Sequence, residues 1–213
     1  MSQLTFDISM SLDGFVAGPN PRTEAPLGDG GERLHEWAYD LESFHERHNV
    51  PGGTRNQDAD VLAEAMDTIG AEIMGRGMFG GGPGPWDESW TGWWGDDPPF
   101  RMPVFVLTHH PHEPLQMQGG TTFTFVTDGI ESALEQARAA AGGKDVGIGG
   151  GADVIQQYLR AGLVDKFQVH IAPILLGSGT RLFDAVGSDQ PSLEITRVVN
   201  SPAVTHVRYR VAR

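Results

Sequence analysis

The chain has 213 residues, 39% hydrophobic and 20% charged, with a formal net charge of −13 and no cysteine. Such acidity disfavours nucleic acid and anionic membranes as partners, because phosphate groups are held by clustered Lys and Arg. The lack of cysteine excludes disulfides, thiolate catalysis and cysteine-ligated zinc, and it fits a reducing compartment, so a cytoplasmic location is expected. Residues 1–8 lack the basic start and long apolar run of a signal peptide, and none is expected. No stretch approaches the roughly 18 apolar residues of a membrane span.

Leu4, Phe6, Ile8 and Met10 alternate with more polar neighbours and predict an opening strand. Ser11 to Asn20, with two glycines and a proline, reads as its end and a loop. Residues 21–58 form a long excursion. It is expected to hold one short helix from about Glu32 to His48, with Leu34, Trp37, Leu41 and Phe44 on one face. Helical spacing returns from Asp60 to Ile69, with Asp58 or Asp60 as N-cap and Gly70 as its end. Ala71 to Met74 is a short strand that runs into Gly75-Arg76-Gly77. Residues 80–102, rich in Gly and Pro and carrying four of the five tryptophans, read as an ordered loop.

Pro103 to Thr108 has the continuous apolar character of a strand buried on both faces. A strand from Thr122 to Val126 and a helix from Ile130 to Ala141, closed by Gly142-Gly143, follow. Val146-Gly147-Ile148-Gly149-Gly150-Gly151-Ala152 then reads as strand, glycines and the start of an amphipathic helix that ends at Ala161-Gly162. Phe167 to Leu176 reads as one long strand, and residues 193–199 and 204–211 as a closing antiparallel pair. Strands alternating with helices indicate an α/β domain, with a mostly parallel mixed sheet flanked by helices and an antiparallel C-terminal edge. No internal boundary divides residues 1–213, so a single domain is expected.

Three strand ends carry chemistry suited to a phosphorylated ligand. A helix N-terminus offers unpaired N–H groups and a partial positive charge, and glycines let an anion approach that backbone. Gly149, Gly150, Gly151 and Ala152 fit this description; a tight turn without a ligand is the plain alternative. Gly75-Arg76-Gly77 delivers a guanidinium, whose fork matches phosphate oxygens. Thr108 and His109 end a buried strand. In open α/β sheets ligands sit beyond the carboxyl ends of the strands.

These pieces together resemble the dihydrofolate reductase superfamily. The branch most like this chain is the reductase domain of the bifunctional riboflavin-biosynthesis deaminase–reductase and its stand-alone bacterial relatives. The resemblance rests on Ser11-Leu12-Asp13-Gly14-Phe15-Val16-Ala17, Ile73 to Phe79, Val104 to Thr108, the glycine run, and Pro173 to Phe183. It implies a three-layer dihydrofolate-reductase-like fold and an NADPH-dependent reductase acting on a small heterocycle. That substrate would be a pteridine such as dihydrofolate, or a ribosylaminopyrimidine of riboflavin synthesis. By position, Gly75, Arg76, Gly77 and Met78 would face the cofactor phosphates, Thr108 and His109 the adenosine 2′-phosphate, and Gly149 to Ala152 the pyrophosphate. Where some relatives carry an arginine after the glycines, this chain has Ala152, so NADPH over NADH comes from the resemblance.

Folate reductases keep an acid on the helix before the Gly-Arg strand, and Asp58, Asp60 and Glu64 all fall near that place. A capping or solvated role serves each equally well. Asp13, Trp86 and Asp97 are candidates for the substrate pocket. Asp13 is equally a turn residue beside Gly14, and the tryptophans suit a lid or an interface as well as a stacking platform. His45 and His48 with Glu42, and the cluster His109, His110 and His112, lack a third ligand, so no metal is expected. No zinc-deaminase set precedes the reductase region. The resemblance implies a homodimer. The competing functional reading is a non-catalytic NADPH-binding or oligomeric interaction protein on the same fold.

Overall fold

The computed structural model describes residues 2–82, 84–187 and 191–212. In chain order the elements begin with β1 (Leu4–Ser11), β2 (Phe15–Ala17), a 3-10 turn (Gly31–Leu34), α1 (Glu36–Tyr39) and α2 (Glu42–Arg47). Next come α3 (Gln57–Asp67), β3 (Ile69–Gly75), α4 (Arg76–Phe79), β4 (Pro103–Leu107), β5 (Leu115–Gln116) and β6 (Thr122–Val126). The chain closes with α5 (Ile130–Ala140), β7 (Asp145–Gly150), α6 (Ala152–Arg160), β8 (Lys166–Ala172), β9 (Thr180–Arg181), β10 (Ser192–Asn200) and β11 (Thr205–Ala212). Nine strands make one sheet in the order β10-β11-β8-β1-β7-β3-β4-β6-β5. β8, β1, β7, β3, β4 and β6 run parallel, and β10, β11 and β5 pair antiparallel at the two edges. The expected parallel sheet with an antiparallel C-terminal edge is therefore present.

The sheet has two unlike faces, because successive side chains of a strand point to opposite sides. On one face Leu4, Phe6, Ile73, Val146, Ile148, Phe167 and Val169 pack on Ala133, Leu134 and Ala137 of α5 and on Ile155 and Tyr158 of α6. Phe6 stacks on Phe167 at 4.5 Å between ring centres, and Phe167 on Tyr209 at 5.0 Å, so three neighbouring strands share one aromatic column. The buried hydroxyl of Tyr158 donates to the Ile130 carbonyl at 2.7 Å.

The other face carries Asp7, Ser9, Gln168, His170 and His206, with Gly147 and Gly149 between them. Trp37, from the 21–58 excursion, covers its upper part. The indole N–H donates to Ser9 Oγ at 3.0 Å, and the ring lies 4.7 Å from His170 and 5.2 Å from His206. A linear network runs below it. Asp7 Oδ1 meets His170 Nε2, His170 Nδ1 meets His206 Nδ1 at 2.6 Å, and His206 Nε2 meets Asp58 Oδ1 at 3.0 Å. Burial pushes the His206 pKa down, against the pull of Asp58. Asp7 also accepts from Gln168 Nε2 at 2.7 Å.

Four local expectations are corrected. The single helix expected over Glu32 to His48 is three short pieces, because the chain turns twice to set Trp37 on the sheet and Leu41 against Ala59. Asn56, not Asp58 or Asp60, caps α3: its side chain accepts from the Ala59 N–H at 2.9 Å. Gly70 lies inside β3, where a Cβ would stand 2.1 Å from the Ala141 carbonyl oxygen. β8 stops at Ala172, because Pro173 has no N–H to continue the ladder.

Phe6→Ala is expected to lower stability by about 3–5 kcal/mol, read by urea denaturation, since it opens a cavity at a buried position. Asp58→Ala is expected to lower it by about 1–3 kcal/mol by stranding a buried imidazole. Asp60→Ala on the same helix, at an exposed position, should stay within about 0.5 kcal/mol of the parent.

Candidate active site

Two cavities open on either side of α4. One, of about 530 Å³, is lined by Arg76, Gly77, Gly80 to Gly82, Trp93, Thr108, His109 and His110, with Pro21 to Thr23 and Pro26 on the far wall. The other, of about 630 Å³, runs along the polar face of the sheet and includes Asp7, Ser9, Trp37, Glu72, Met78, Trp94 and Gly149. α4 is the partition: Arg76 and Gly77 border the first cavity and Met78 the second.

Arg76 dominates the first cavity. Its guanidinium lies 3.7 Å from the centre of the Trp86 ring. All three side-chain nitrogens are shut off from solvent and make no hydrogen bond among the described residues. Burial lowers its pKa, yet a guanidinium stays charged. Buried polar groups are almost always paired, so a stacked cation with three idle donor nitrogens is a site built for an anion. Thr108 is buried beside it and accepts the His110 N–H at 3.1 Å on Oγ1. His109 is exposed at the rim. Trp86 Nε1 donates to the His110 carbonyl at 2.8 Å, and Trp90 Nε1 to the Phe79 carbonyl at 3.1 Å, which ties the 80–102 loop to the ends of α4 and β4. Gly80 and Gly81 have positive φ, and a Cβ on Gly80 would stand 2.7 Å from Trp90 and Trp93.

The glycine run lies on β7, the strand beside the one that leads into Arg76. Met74 pairs with Gly150, and the space that a Cβ on Gly75 would fill lies 3.9 Å from the Gly151 N. The Gly150–Gly151 peptide is cis. α6 begins at Ala152 with Gly151 as its N-cap, so its first N–H groups point out beyond the sheet edge. The cofactor candidates Gly75, Arg76, Gly77, Thr108, Gly150, Gly151 and Ala152 are thus brought to one end of the sheet. Met78 and Gly149 are displaced from them toward the second cavity, with Met78 Cε 3.4 Å from the space of a Gly149 Cβ.

The substrate-side candidates scatter. Asp13 accepts the N–H groups of Leu176 at 3.1 Å and Gly177 at 2.7 Å and so holds the 173–177 turn. Hydrogen bonding from Ser11, Gly177 and Leu176 brings its pKa down to about 2. It is a brace beside Gly14, not a pocket wall. Trp86 is the platform of Arg76 and belongs to the first cavity's machinery. Asp97 is exposed and bonded to Asn49 at 3.0 Å, because the loop carries it outward; it lines neither cavity. Among the acids, Asp60 is exposed on α3 and Asp58 is consumed by His206. Glu64 is ion-paired with Arg208 and Arg197, whose hydrogen bonds lower its pKa, the wrong direction for a group that must hold a proton. None of the three has the environment of a proton donor.

The sequence reading passed over one acid. Glu72 lies in β3, buried, with its carboxyl in the second cavity against Gly149 and Met78. Burial raises its pKa, partly opposed by Arg47. The signal was a lone charge within the apolar run Ala71-Glu72-Ile73-Met74. No group of three or more His, Asp or Glu side chains among the described residues is arranged to hold a metal ion, and no helix among them is long and apolar enough to cross a membrane.

The family model of the RibD C-terminal domain matches residues 2–207. The uncharacterised protein YyaP of Bacillus subtilis is 37% identical over 188 residues, covering 85% of this chain and 80% of YyaP. Among solved structures, a protein of Shewanella sp. PV-4 assigned to riboflavin biosynthesis superposes with a TM-score of 0.67 at 24% identity, covering both chains fully. A diaminohydroxyphosphoribosylaminopyrimidine deaminase/5-amino-6-(5-phosphoribosylamino)uracil reductase from Thermotoga maritima superposes with a TM-score of 0.58 at 14% identity. That match covers 99% of this chain and 57% of the Thermotoga protein. These structural likenesses show that the chain shares the fold of those proteins. With its sequence matched almost from end to end, the chain belongs to the RibD C-terminal domain family.

Proposed function

We propose that the protein is an NADPH-dependent reductase that passes hydride to a C=N or C=O bond of a small heterocycle, a ribosylaminopyrimidine or a pteridine. The observation that carries this reading is Arg76, a stacked, solvent-shielded guanidinium without an anionic partner at the strand end that faces the α6 N-terminus. The donor set fits a dinucleotide. Arg76, Thr108 and His109 line the cavity that would take the adenosine 2′-phosphate, and the α6 N-terminus, which has no side-chain cap, would take the pyrophosphate. When bound, the cofactor supplies the hydride. The chain's own part is to hold donor and acceptor carbons in contact and to keep water out. Arg76 fixes the phosphates, the glycines admit them to the backbone, and α4 separates the phosphate cavity from the one that opens on Gly149 and Glu72. The homodimer implied by the resemblance is part of this proposal, and exposed Leu193, Ile195 and Val198 on the edge strand β10 offer it an apolar surface.

The test is a fluorescence titration of NADPH and NADH. Arg76→Ala is expected to weaken NADPH by about 10–100-fold, the equivalent of one or two charge-assisted hydrogen bonds. NADH, which lacks the 2′-phosphate, should change much less. Equal losses would refute the 2′-phosphate role, and no NADPH binding by the parent protein would refute the reductase reading. If NADPH binds, the decay of its absorbance with a panel of pteridines and ribosylaminopyrimidines separates a working enzyme from a binding protein.

A further inference from the structure

We propose that Glu72 is the proton donor of this site: its carboxyl, standing over Gly149 in the cleft, delivers a proton to the heteroatom of the bond that takes hydride. The inference rests on the reductase reading. It starts from an unusual use of space. Glu72 Oε1 lies 2.1 Å from the position that a Cβ on residue 149 would occupy, so the carboxyl stands where any other residue would place its own side chain. Gly149 is the last residue before the Gly150–Gly151 turn into α6. Glu72 therefore sits on the wall of the 630 Å³ cleft nearest the phosphate-binding backbone, with Met78 closing the same spot.

The charges around Glu72 leave its proton available. Arg47 on α2 approaches Oε2 with NH2 at 3.8 Å, too far for a hydrogen bond, and spends its Nε on the Pro99 carbonyl at 3.2 Å. Asp7 on β1 and His170 on β8 line the cleft from the other side of β7, but Asp7 bonds to His170 and Gln168, and His170 to Asp7 and His206. Arg101 lines it from the loop before β4. Among the described residues no hydrogen bond reaches the Glu72 carboxylate. A buried carboxyl without donors favours its neutral form, the form that a general acid needs near working pH. By contrast Asp58 is bonded to His206, Asp60 is exposed, and Glu64 is ion-paired with Arg197 and Arg208.

With a reduced nicotinamide bound, hydride would add to the carbon of the C=N or C=O bond and the nicotinamide would leave oxidised. The π electrons move to the heteroatom, which takes the Glu72 proton to form N–H or O–H. Glu72 is left as a carboxylate beside Arg47 and takes a proton from bulk solvent once product has left and the cleft is open again.

Glu72→Gln keeps the shape of the side chain and removes the acid. Infrared difference spectra across a pH titration are expected to show, in the parent, a protonated-carboxyl band that persists above the usual carboxylate range and is missing from Glu72→Gln. NADPH titration should give the same affinity for both proteins. With whichever pyrimidine or pteridine the parent reduces, kcat should fall as pH rises through the Glu72 titration. In Glu72→Gln it should be lower by about 10²-fold and have lost that limb, with KM for NADPH unchanged. No such band in a parent that binds NADPH, or an unchanged kcat in Glu72→Gln, would overturn the assignment while leaving the reductase reading intact. A parent that binds no NADPH would overturn both.

Discussion

The sheet must serve two environments at once, and the candidate site follows from how it does so. Alternation along β1, β7 and β8 sends Leu4, Phe6, Val146, Ile148, Phe167 and Val169 to the helices α5 and α6. The same alternation sends Asp7, Ser9, Gly147, Gly149, Gln168 and His170 to the other face. Burying the first set is the main gain in folding. It fixes the register of the strands, because a slip of one residue would exchange the faces. Once the register is fixed, the polar groups and the two glycines have no choice of side. Without side chains at Gly147 and Gly149 the polar face keeps its depth, and Glu72 can lean across β7 into the gap.

The same end of the sheet gathers the phosphate chemistry. β3 and β7 are neighbours, so Arg76 and the α6 N-terminus leave the sheet side by side. The loop rich in glycine and tryptophan supplies what the strands cannot. Trp86 gives the Arg76 guanidinium a flat support without neutralising it, and positive-φ glycines at residues 80 and 81 let Trp90 and Trp93 close on the backbone. A charged group supported by a π face alone retains its full appetite for an anion. The single turn of α4 then divides this cationic cavity from the cleft that holds Glu72. That division suits a ligand with phosphates at one end and a reactive ring at the other.

Much of this architecture was legible because it is local. Alternation marked β1, apolar continuity marked β4, and glycines next to an amphipathic segment marked the β7–α6 junction. Arg76 could be singled out because its flanking glycines are adjacent in sequence. The parts that escaped are contacts between distant positions. Trp86 and Arg76 are ten residues apart on irregular chain, so no period links them. His170, His206, Asp7 and Asp58 come from four separate elements, and each alone looks like an ordinary polar residue. Three acids could be picked out near the helix before β3, whereas Glu72 lies within β3, where a strand that reads as apolar hides the meaning of one charge. Asp97 shows the converse, since an acid picked as a substrate-pocket candidate is carried to the surface by its loop.

The central claim is that the buried guanidinium of Arg76 and the N-terminus of α6 form one seat for a dinucleotide. A crystal structure grown with NADPH tests it most directly. The account predicts phosphate oxygens within hydrogen-bonding distance of Arg76 and of the Gly151–Ala152 backbone, with the nicotinamide reaching the cleft beside Gly149 and Glu72. Phosphates bound elsewhere, with Arg76 still unpaired on Trp86, would contradict it.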